Sequence, residues 1–322
     1  MIFQHLIAIT LAFCIDSIIG DPPNWPHPVR WIGSLISFFE KRWNKGKNRK
    51  AKGVAMLISI LLIVGGISFL LIFMSYQIHT LVGIIIEAII ISTTIARKSL
   101  KQAAIQVYDP LIQKDFEEAR LKLSYIVGRD TDQLDEDEIT RGTVETVAEN
   151  TSDGITAPLF WAFIGGGTLA MVYRAINTCD SMVGYKNERF SDFGWASAKW
   201  DDVVNWIPSR MTSLMMIWTK KPVTFSRKKV WQIVLRDAKQ HPSPNSGWCE
   251  APVAAMLGIQ LGGTNTYRGI VSHRAKMGDP IFKQTAQHIQ LTVQIMGRTT
   301  ILFLITLWIL GGILIEMANT WL

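Results

Sequence analysis

The sequence predicts an all-α, polytopic integral membrane protein, and three observations support this fold class. Hydrophobic residues make up 48% of the 322 residues and charged residues only 18%, with a mean hydropathy of +0.21. Several apolar runs approach the roughly 20 residues that a helix needs to cross a bilayer. Basic residues cluster beside these runs, as they do in cytoplasmic loops. We therefore expect membrane helices with cytoplasmic helical segments and polar loops that form a site at the membrane surface.

One membrane domain is expected over residues 1–322. Its first part, residues 1–96, would hold the N-terminal membrane helices and a polar loop. Residues 97–220 would carry the site, and residues 221–322 would add a second polar loop, further helices and a terminal membrane helix.

Charge and cysteine content argue against two other classes of protein. The formal net charge is +7, but the basic residues lie near hydrophobic segments, so anionic lipid explains them better than nucleic acid. Cys14, Cys179 and Cys249 are far apart and form no CxxC pair, which disfavours a disulfide framework or a zinc site. Cys179 lies among polar residues and could act as a nucleophile, although a small buried thiol is the commoner use.

Three apolar runs in the first hundred residues predict membrane helices. Ile2–Gly20 is long enough to span, lacks the basic start and cleavage site of a signal peptide, and is expected to be retained. Its Asp16 is expected either to pair with a basic group or to belong to a site. The basic stretch Lys41–Lys52 indicates a cytoplasmic loop. Val54–Met74 and Ile78–Ile95 follow, and they predict a helical hairpin that returns to the cytoplasm.

A proline-rich segment, Gly20–Gly33, follows the first apolar run. Its four prolines predict an extended, rigid loop in place of a helix. The loop either anchors at the interface through its tryptophans or holds polar side chains over the membrane surface, and rigid placement favours the second alternative. These polar side chains are Asp21, His27 and Arg30.

A helix expected over Leu134–Asn150 carries a row of charged residues. Arg141, Glu145 and Glu149 recur every four residues and therefore share one face. They form either an intrahelical ion pair or, with Asp153 in the turn that follows, a Mg²⁺ site. Magnesium suits such a set because it takes few carboxylates and keeps its waters for phosphate oxygens.

The next apolar run, Ala157–Ala175, contains a glycine triplet. Gly165, Gly166 and Gly167 permit close backbone approach and are expected to bend or break the segment. We expect this run and Val203–Trp218 to cross as a pair or to pack within the membrane-facing core. A single crossing would place the polar cluster between them outside, away from the cytoplasm.

Polar residues are dense between these two runs. The segment NTCDSMVGYKN, residues 177–187, is either a capping turn or a cluster in which Asp180 offers a metal ligand and Lys186 a phosphate contact. The segment KWDDVVNWIPSR, residues 199–210, contains Pro208, which is expected to interrupt the helix. Its polar residues include Asp201, Asp202, Asn205 and Arg210.

The remaining segments are simpler. Residues 97–138 have the pattern of soluble amphipathic helices. Residues 241–263, HPSPNSGWCEAPVAAMLGIQLGG, predict a proline-stiffened loop and then a helix, with Asn245 or Ser246 as cap and Glu250 in the first turn. Helix capping alone accounts for these residues, and participation in a site would be a further role. The last apolar run, Ile301–Ile315, predicts a C-terminal membrane helix.

Together these segments resemble the adenosylcobinamide-phosphate synthase family of cobalamin biosynthesis, CbiB/CobD. The resemblance covers nearly the whole chain, and the motifs are specific in combination although several are weak alone. They are GDPPNWPHPVRWIG, GRDTDQL, RGTVETVAENTSDGITAPLFW, NTCDSMVGYKNERFSDFGWASAKWDDVVNWIPSR, and HPSPNSGWCEAP with LGG. Cys179 and Cys249 fall where the family is expected to tolerate other residues, which argues against a cysteine mechanism.

The resemblance implies an integral membrane ligase that uses ATP and Mg²⁺. It would join a carboxylate of adenosylcobyric acid to the amine of (R)-1-amino-2-propanol or its O-phosphate, giving adenosylcobinamide or its phosphate. Expected partners are these substrates and membrane lipid, with no nucleic acid. A homo-oligomer, or contact with other corrinoid-pathway enzymes, is left open, and the site is expected to face the cytoplasm of the cell membrane.

Amide formation needs an activated acyl group, so such a site must neutralise phosphate charge and hold the amine in line. The residues expected to hold Mg²⁺ are Glu145, Glu149, Asp153 and Asp180. Those expected to bind phosphate or other cofactor groups are Arg30, Arg141, Asn177, Ser181, Tyr185, Lys186, Arg210 and Asn245. The expected catalytic residues are Glu145, Glu149, Asp180 and Lys186, with Asp201, Asp202 or His27 accepting a proton from the attacking ammonium.

Two other functions stay open. A membrane transporter or sensor would also carry an intramembrane Asp16 and broken apolar runs, but the spans are few and the polar residues gather in soluble-looking segments. A non-catalytic relative that acts in signalling, as resemblance to the AmpE group would suggest, is disfavoured by the density of acidic and basic residues in the motifs.

Overall fold

The computed structural model describes residues 2–22 and 25–321, without the side chains of residues 320 and 321. It is 73% helical, which confirms the predicted all-α class. Its elements are α1 (Ile2–Ile18), α2 (Pro28–Trp43), α3 (Arg49–Ile78), α4 (Thr80–Ser92), α5 (Arg97–Ile112), α6 (Phe116–Ser124), α7 (Glu136–Thr151), α8 (Ala157–Val183), α9 (Trp195–Val204), α10 (Trp206–Thr219), α11 (Arg227–Asp237), α12 (Gly247–Leu257), β1 (Leu261–Tyr267), β2 (Ile270–Met277) and α13 (Ala286–Trp321). A π-helical turn, Ser152–Thr156, links α7 to α8.

Four helical runs in the described chain are long and apolar enough to cross a membrane, which supports the predicted polytopic class. They are Arg49–Ile78, Thr80–Ile112, Glu136–Val183 and Ala286–Asn319, and α1 is a shorter apolar helix. The predicted helical hairpin is formed by α3 and α4, which only His79 separates. Its Nδ1 accepts the N–H of Leu81 at 3.2 Å and so caps α4.

The chain forms two compact units, each built from segments that are distant in sequence. The first unit comprises residues 1–98, 154–205 and 304–322, and the second comprises residues 99–153 and 206–303. In the first unit, α3 packs against α2, α4, α8 and α9, while α1 packs against α4 and α8. The core between these helices includes Ile36, Met56, Ile60, Tyr173 and Phe193.

A buried carboxylate explains the break in α8. Gly165 and Gly166 have non-helical dihedrals, as the glycine triplet predicts. The break lets the N–H of Gly167 donate to Glu87 at 2.9 Å, and the same carboxylate contacts His5 Nδ1 at 2.9 Å and Tyr76 OH at 2.7 Å. Gly166 has a φ of +63°, and a Cβ there would overlap Glu87. Glycine is therefore required at this position both for conformation and for space.

Two local predictions were wrong in their positions. The proline-rich loop ends at His27, and Pro28 begins α2, because proline has the φ of a helical residue and needs no N–H donor in the first turn. His27 Nδ1 accepts the N–H of Val29 at 3.3 Å as the cap. The helix expected to be interrupted at Pro208 instead breaks at Asn205, and Pro208 lies in the first turn of α10.

The second unit is built around α12, whose eleven residues are all buried. Contacts with α7, α10, α11 and both strands surround it. The short α7 begins with a capping box, in which Asp135 accepts the N–H of Glu138 at 2.9 Å and Glu138 accepts that of Asp135 at 3.2 Å. Three acidic residues lie in the first turn, where the helix dipole favours them.

A β-hairpin in the second unit was not predicted. Strands β1 and β2 pair antiparallel, with Tyr267 opposite Ile270. Arg268 and Gly269 form the turn with φ angles of 51° and 78°, the left-handed pair that a two-residue hairpin turn requires. The sequence signal was therefore the Arg-Gly pair between β-branched and aromatic residues.

We expect Gly53→Ala to destabilise the protein, although alanine favours helices. Gly53 lies in α3 against the backbone of Phe193, and a Cβ there would overlap the Phe193 carbonyl oxygen. Overpacking of this kind costs about 1–3 kcal/mol. Gly66 in the same helix has open space around it, so Gly66→Ala should be neutral or stabilising by up to about 1 kcal/mol. Thermal unfolding in detergent compares the two, and equal unfolding temperatures would contradict the close approach.

Candidate functional site

In the first unit, polar residues of α8, α9 and the C-cap of α9 form what we call the Asp201 cluster: Tyr173, Asn177, Asp180, Asp201 and Asn205. Both oxygens of Asp201 accept amide hydrogen bonds, from Asn177 Nδ2 at 3.3 Å and from Asn205 Nδ2 at 3.0 Å. Tyr173 OH donates to Asn205 Oδ1 at 2.8 Å and thereby fixes the amide of Asn205. Two helices thus hold one carboxyl group in a defined orientation.

The electrostatics of this cluster favour the protonated form of Asp201. Burial, and then the charge of Asp180, raise the pKa of Asp201 from 3.8 to about 7. The two asparagines favour the charged form but bring no positive charge. Asp201 is therefore a carboxyl group that can exchange a proton near neutral pH.

The other predicted residues of the segments 177–187 and 199–210 have different surroundings. Ser181 lies on α8 and donates to the Thr178 carbonyl at 3.0 Å. Tyr185 and Lys186 are exposed in the segment after α8. Asp202 faces Lys199 at 3.6 Å. The structure therefore brings Asn177, Asp180 and Asp201 together and leaves Lys186 at the surface.

The predicted residues of the N-terminal loop also lie in the first unit. His27 Nε2 contacts Asp21 Oδ1 at 3.1 Å, while its Nδ1 caps α2. Both ring nitrogens of His27 are therefore engaged, and the tautomer that fits carries the proton on Nε2. Arg30 is exposed on the first turns of α2.

In the second unit, the charged face of α7 contacts the hairpin. Glu145 forms a short, buried ion pair with Arg129 and accepts the N–H of Gly262 at 2.8 Å. Arg141 does not pair with Glu145 along the helix; it donates to the carbonyls of Gly262 and Thr264 and to Asn265 Oδ1. The carboxylate of Glu145 thus has a protein donor on each oxygen.

The loop before α12 also contacts α7. Ser246 precedes the helix as predicted, but its hydroxyl does not cap it; Ser246 Oγ donates instead to Glu149 Oε1 at 2.6 Å. Arg210 of α10 lies between the rings of Trp206 and Trp248, and its Nη1 donates to Asn245 Oδ1 at 3.2 Å. The two loop residues therefore connect α7 and α10 to the start of α12.

A buried histidine and carboxyl lie deeper in this loop. His241 Nε2 and Glu250 Oε1 are 3.5 Å apart, and neither atom has a hydrogen-bond partner within the described residues. Burial lowers the pKa of His241. Burial, and then the charges of Glu145 and Glu149, raise the pKa of Glu250 well above its ordinary value. Both groups are therefore favoured in their neutral forms.

Sequence reasoning missed several of these residues. Arg129, His241 and Asn265 were not singled out, and Tyr173 lay inside an apolar run. The GRDTDQL motif was the available signal for Arg129, and the polar HPSPNS loop was the signal for His241. Their partners are more than a hundred residues away or in a different element, which spacing alone does not reveal.

Metal binding by Glu145, Glu149, Asp153 and Asp180 stays a prediction. In the part of the chain that the structure describes, no group of three or more His, Cys, Asp or Glu side chains is arranged to hold a metal ion. Asp153 lies in the π-helical turn, near enough to Cys249 to influence that thiol. Burial raises the pKa of the Cys249 thiol, so this cysteine is poorly suited to act as a nucleophile.

Comparison with known proteins places the chain in one family. A family model described as "CobD/Cbib protein" matches residues 9–296. The "Cobalamin biosynthesis protein CobD" of Halalkalibacterium halodurans is 57% identical over 313 residues, covering 97% of this chain and 98% of the relative. The "Cobalamin biosynthesis protein CbiB" of Salmonella paratyphi B is 44% identical over 295 residues, covering 90% and 92%. No solved structure is significantly similar. The chain therefore belongs to the CobD/CbiB protein family.

Proposed function

We propose that this chain acts in cobalamin biosynthesis as an ATP-dependent ligase. It joins adenosylcobyric acid to (R)-1-amino-2-propanol or its O-phosphate through an amide bond, at a site that faces the cytoplasm. The near full-length similarity to relatives named for cobalamin biosynthesis supports the pathway. The reaction type follows from the resemblance of the sequence motifs to this family, and the observation that supports it is the Asp201 carboxyl, which Asn177 and Asn205 hold in place as a candidate proton acceptor.

Forming an amide from a carboxylate requires a better leaving group and a proton acceptor. When bound, ATP with Mg²⁺ would transfer its γ-phosphoryl group to the carboxylate, giving an acyl phosphate and releasing ADP. Attack by the amine forms the C–N bond, breaks the bond to phosphate, and releases a proton from nitrogen. A general base is most effective when its pKa lies near the working pH. Asp201 meets that condition, whereas the ring nitrogens of His27 are engaged by Asp21 and Val29.

The four carboxylates predicted to bind Mg²⁺ are not equally suited to do so. Glu145 has a protein donor on each oxygen, which suits a positioning role better than a metal ligand. Glu149 and Asp153 in the second unit, and separately Asp180 in the first unit, are better candidates to hold Mg²⁺, because magnesium needs only one or two carboxylates beside water and phosphate oxygens. Exposed Lys186 and Arg30 are proposed to contact phosphate groups. Arg210 is proposed to do the same from its place between two indole rings.

A transporter or sensor is the second candidate, because Glu87 is a buried carboxylate in a candidate membrane span. Its three hydrogen bonds come from His5, Tyr76 and Gly167, all within the protein. That arrangement favours a structural role. Vesicle flux of the substrates without any amide product would support transport instead.

Alanine at Glu149 or Asp180 should abolish amide formation and leave membrane insertion intact. The loss is expected because phosphate charge would no longer be neutralised. Purified protein is mixed with adenosylcobyric acid, aminopropanol or its phosphate, ATP and Mg²⁺, and the product is followed by mass spectrometry. Asp132→Ala removes an exposed carboxylate elsewhere and should retain activity. Near-normal turnover in both site variants would refute these metal assignments.

Stability should fall as pH rises toward neutrality because of Asp201. The folded pKa of about 7 exceeds the ordinary 3.8, so the folded protein binds more protons between these values. The contribution of Asp201 is therefore fully present below about pH 4 and is lost as pH rises through about 7. Asp201→Asn should lose turnover and flatten this part of the stability profile. Unfolding temperatures from pH 4 to 8 are compared, and parallel profiles would contradict the raised pKa.

Labelling at residue 186 tests the cytoplasmic site. Lys186→Cys is placed in a background in which the exposed Cys14 is serine, since Cys179 and Cys249 are buried. A membrane-impermeant maleimide should label position 186 in inside-out vesicles and not in right-side-out vesicles. Labelling only from the outside would refute a cytoplasmic site.

A further inference from the structure

A polar pocket in the second unit has no assigned role. It has a volume of about 380 Å³, within the range of small-molecule sites. Residues of α7, the β-hairpin and the segment before α13 line it. We call it the hairpin pocket, and its principal residues are Asp137, Arg141, Gly263, Lys276, Lys283 and Gln284.

Positive charge exceeds negative charge in the hairpin pocket. Arg141, Lys276 and Lys283 face one acidic side chain, Asp137. Asp137 Oδ1 already accepts the N–H of Gln284 at 3.0 Å. Both lysines are exposed, and neither makes an ion pair among the described residues. Cations held near one another without a counter-charge favour an anionic ligand.

Two buried polar atoms at the pocket also have no partner in the described chain. Arg141 is 9% exposed and its Nε–H donates to nothing, although both Nη atoms are engaged. Gln284 is 6% exposed, and its Oε1 accepts nothing while its Nε2 donates to the Gln260 carbonyl at 2.7 Å. Buried polar atoms are normally hydrogen-bonded, so each of these points to an absent partner. Arg141 Nε requires an acceptor and Gln284 Oε1 requires a donor.

The hairpin backbone leaves space between the cations. Gly263 has a φ of +88°, and a Cβ there would lie 3.0 Å from Arg141 Nη1 and 4.0 Å from Lys276 Cε. Any side chain at this position would therefore lie against the guanidinium of Arg141 and near the end of the Lys276 side chain. A phosphate oxygen can approach there because glycine leaves the backbone bare.

We infer that the hairpin pocket binds a small phosphate ester that also carries a hydrogen-bond donor. Lys276, Lys283 and Arg141 Nε contact the phosphate, and Gln284 Oε1 accepts from a hydroxyl or ammonium group of the same molecule. The ester's identity rests on the proposed function, which offers a nucleoside triphosphate or a phosphorylated amino alcohol. The pocket itself rests on the geometry of the second unit.

Direct binding to the full-length protein in detergent tests this site. Calorimetry is run with ATP, 1-amino-2-propanol O-phosphate, the unphosphorylated amino alcohol and inorganic phosphate, and flotation is run with phosphatidylglycerol vesicles. The double variant Lys276→Glu/Lys283→Glu should reduce the affinity for the phosphate ester at least tenfold. Lys228→Glu/Lys239→Glu makes the same charge change at exposed positions outside the pocket and should alter affinity less than twofold. Unfolding temperatures verify that both variants are folded.

Gln284→Leu separates the two halves of the ligand. This substitution should reduce the affinity for the ester more than the affinity for inorganic phosphate, because only the ester carries a hydrogen-bond donor for Gln284 Oε1. The proposal would be overturned if Lys276→Glu/Lys283→Glu bound the ester with unchanged affinity. It would also be overturned if the two lysines were needed only for binding to lipid vesicles.

The binding experiment is independent of turnover. Lysine-dependent binding without any amide product would refute the proposed reaction and leave the pocket standing. If Lys276→Glu/Lys283→Glu forms the amide normally and binds the phosphate ester with unchanged affinity, the pocket proposal is refuted and the proposed reaction stands.

Discussion

A buried carboxylate requires hydrogen-bond donors, and this requirement organises both units. Leaving such a group unpaired in an apolar interior is costly, and Glu87 and Glu145 both collect donors from elsewhere in the chain. Glu87 takes the N–H of Gly167 from a broken helix, and Glu145 takes Arg129 and a hairpin N–H. The half-buried Asp201 accepts hydrogen bonds from the amides of two asparagines. One carboxyl side chain thereby connects, through its hydrogen bonds, elements that are far apart in the sequence.

The kind of hydrogen-bond donor differs between the carboxyl groups of Glu145 and Asp201. Glu145 faces a guanidinium, so its charge is matched and removal of either partner would strand the other in the interior. Asp201 meets only neutral amides and has the negative Asp180 nearby. Its charge is therefore poorly compensated, and the proton is held until near neutral pH. A carboxyl group thus faces a charged partner in the second unit and has a raised pKa in the first.

Local patterns in the sequence predicted much of the fold. The apolar runs, the shared face of Arg141, Glu145 and Glu149, and the glycine break in α8 all depend on neighbours within a few turns. The partners of those residues do not. Arg141 bonds to a hairpin more than a hundred residues away, and nothing in helical spacing distinguishes that outcome from an ion pair with Glu145. Ser246 likewise has the composition of a cap but donates to Glu149.

Because Gly165 and Gly166 are not helical, the side-chain directions in the first half of α8 do not continue in helical register into the second half. Residues after the break, including Asn177 and Asp180, are oriented by the helical turns that begin at Gly167. Inserting one residue between Gly167 and Asn177 would rotate the two polar side chains by about 100° about the helix axis. The orientation of Asn177 and Asp180 in the Asp201 cluster is therefore set by the turns after the break, because the helix is not continuous across it.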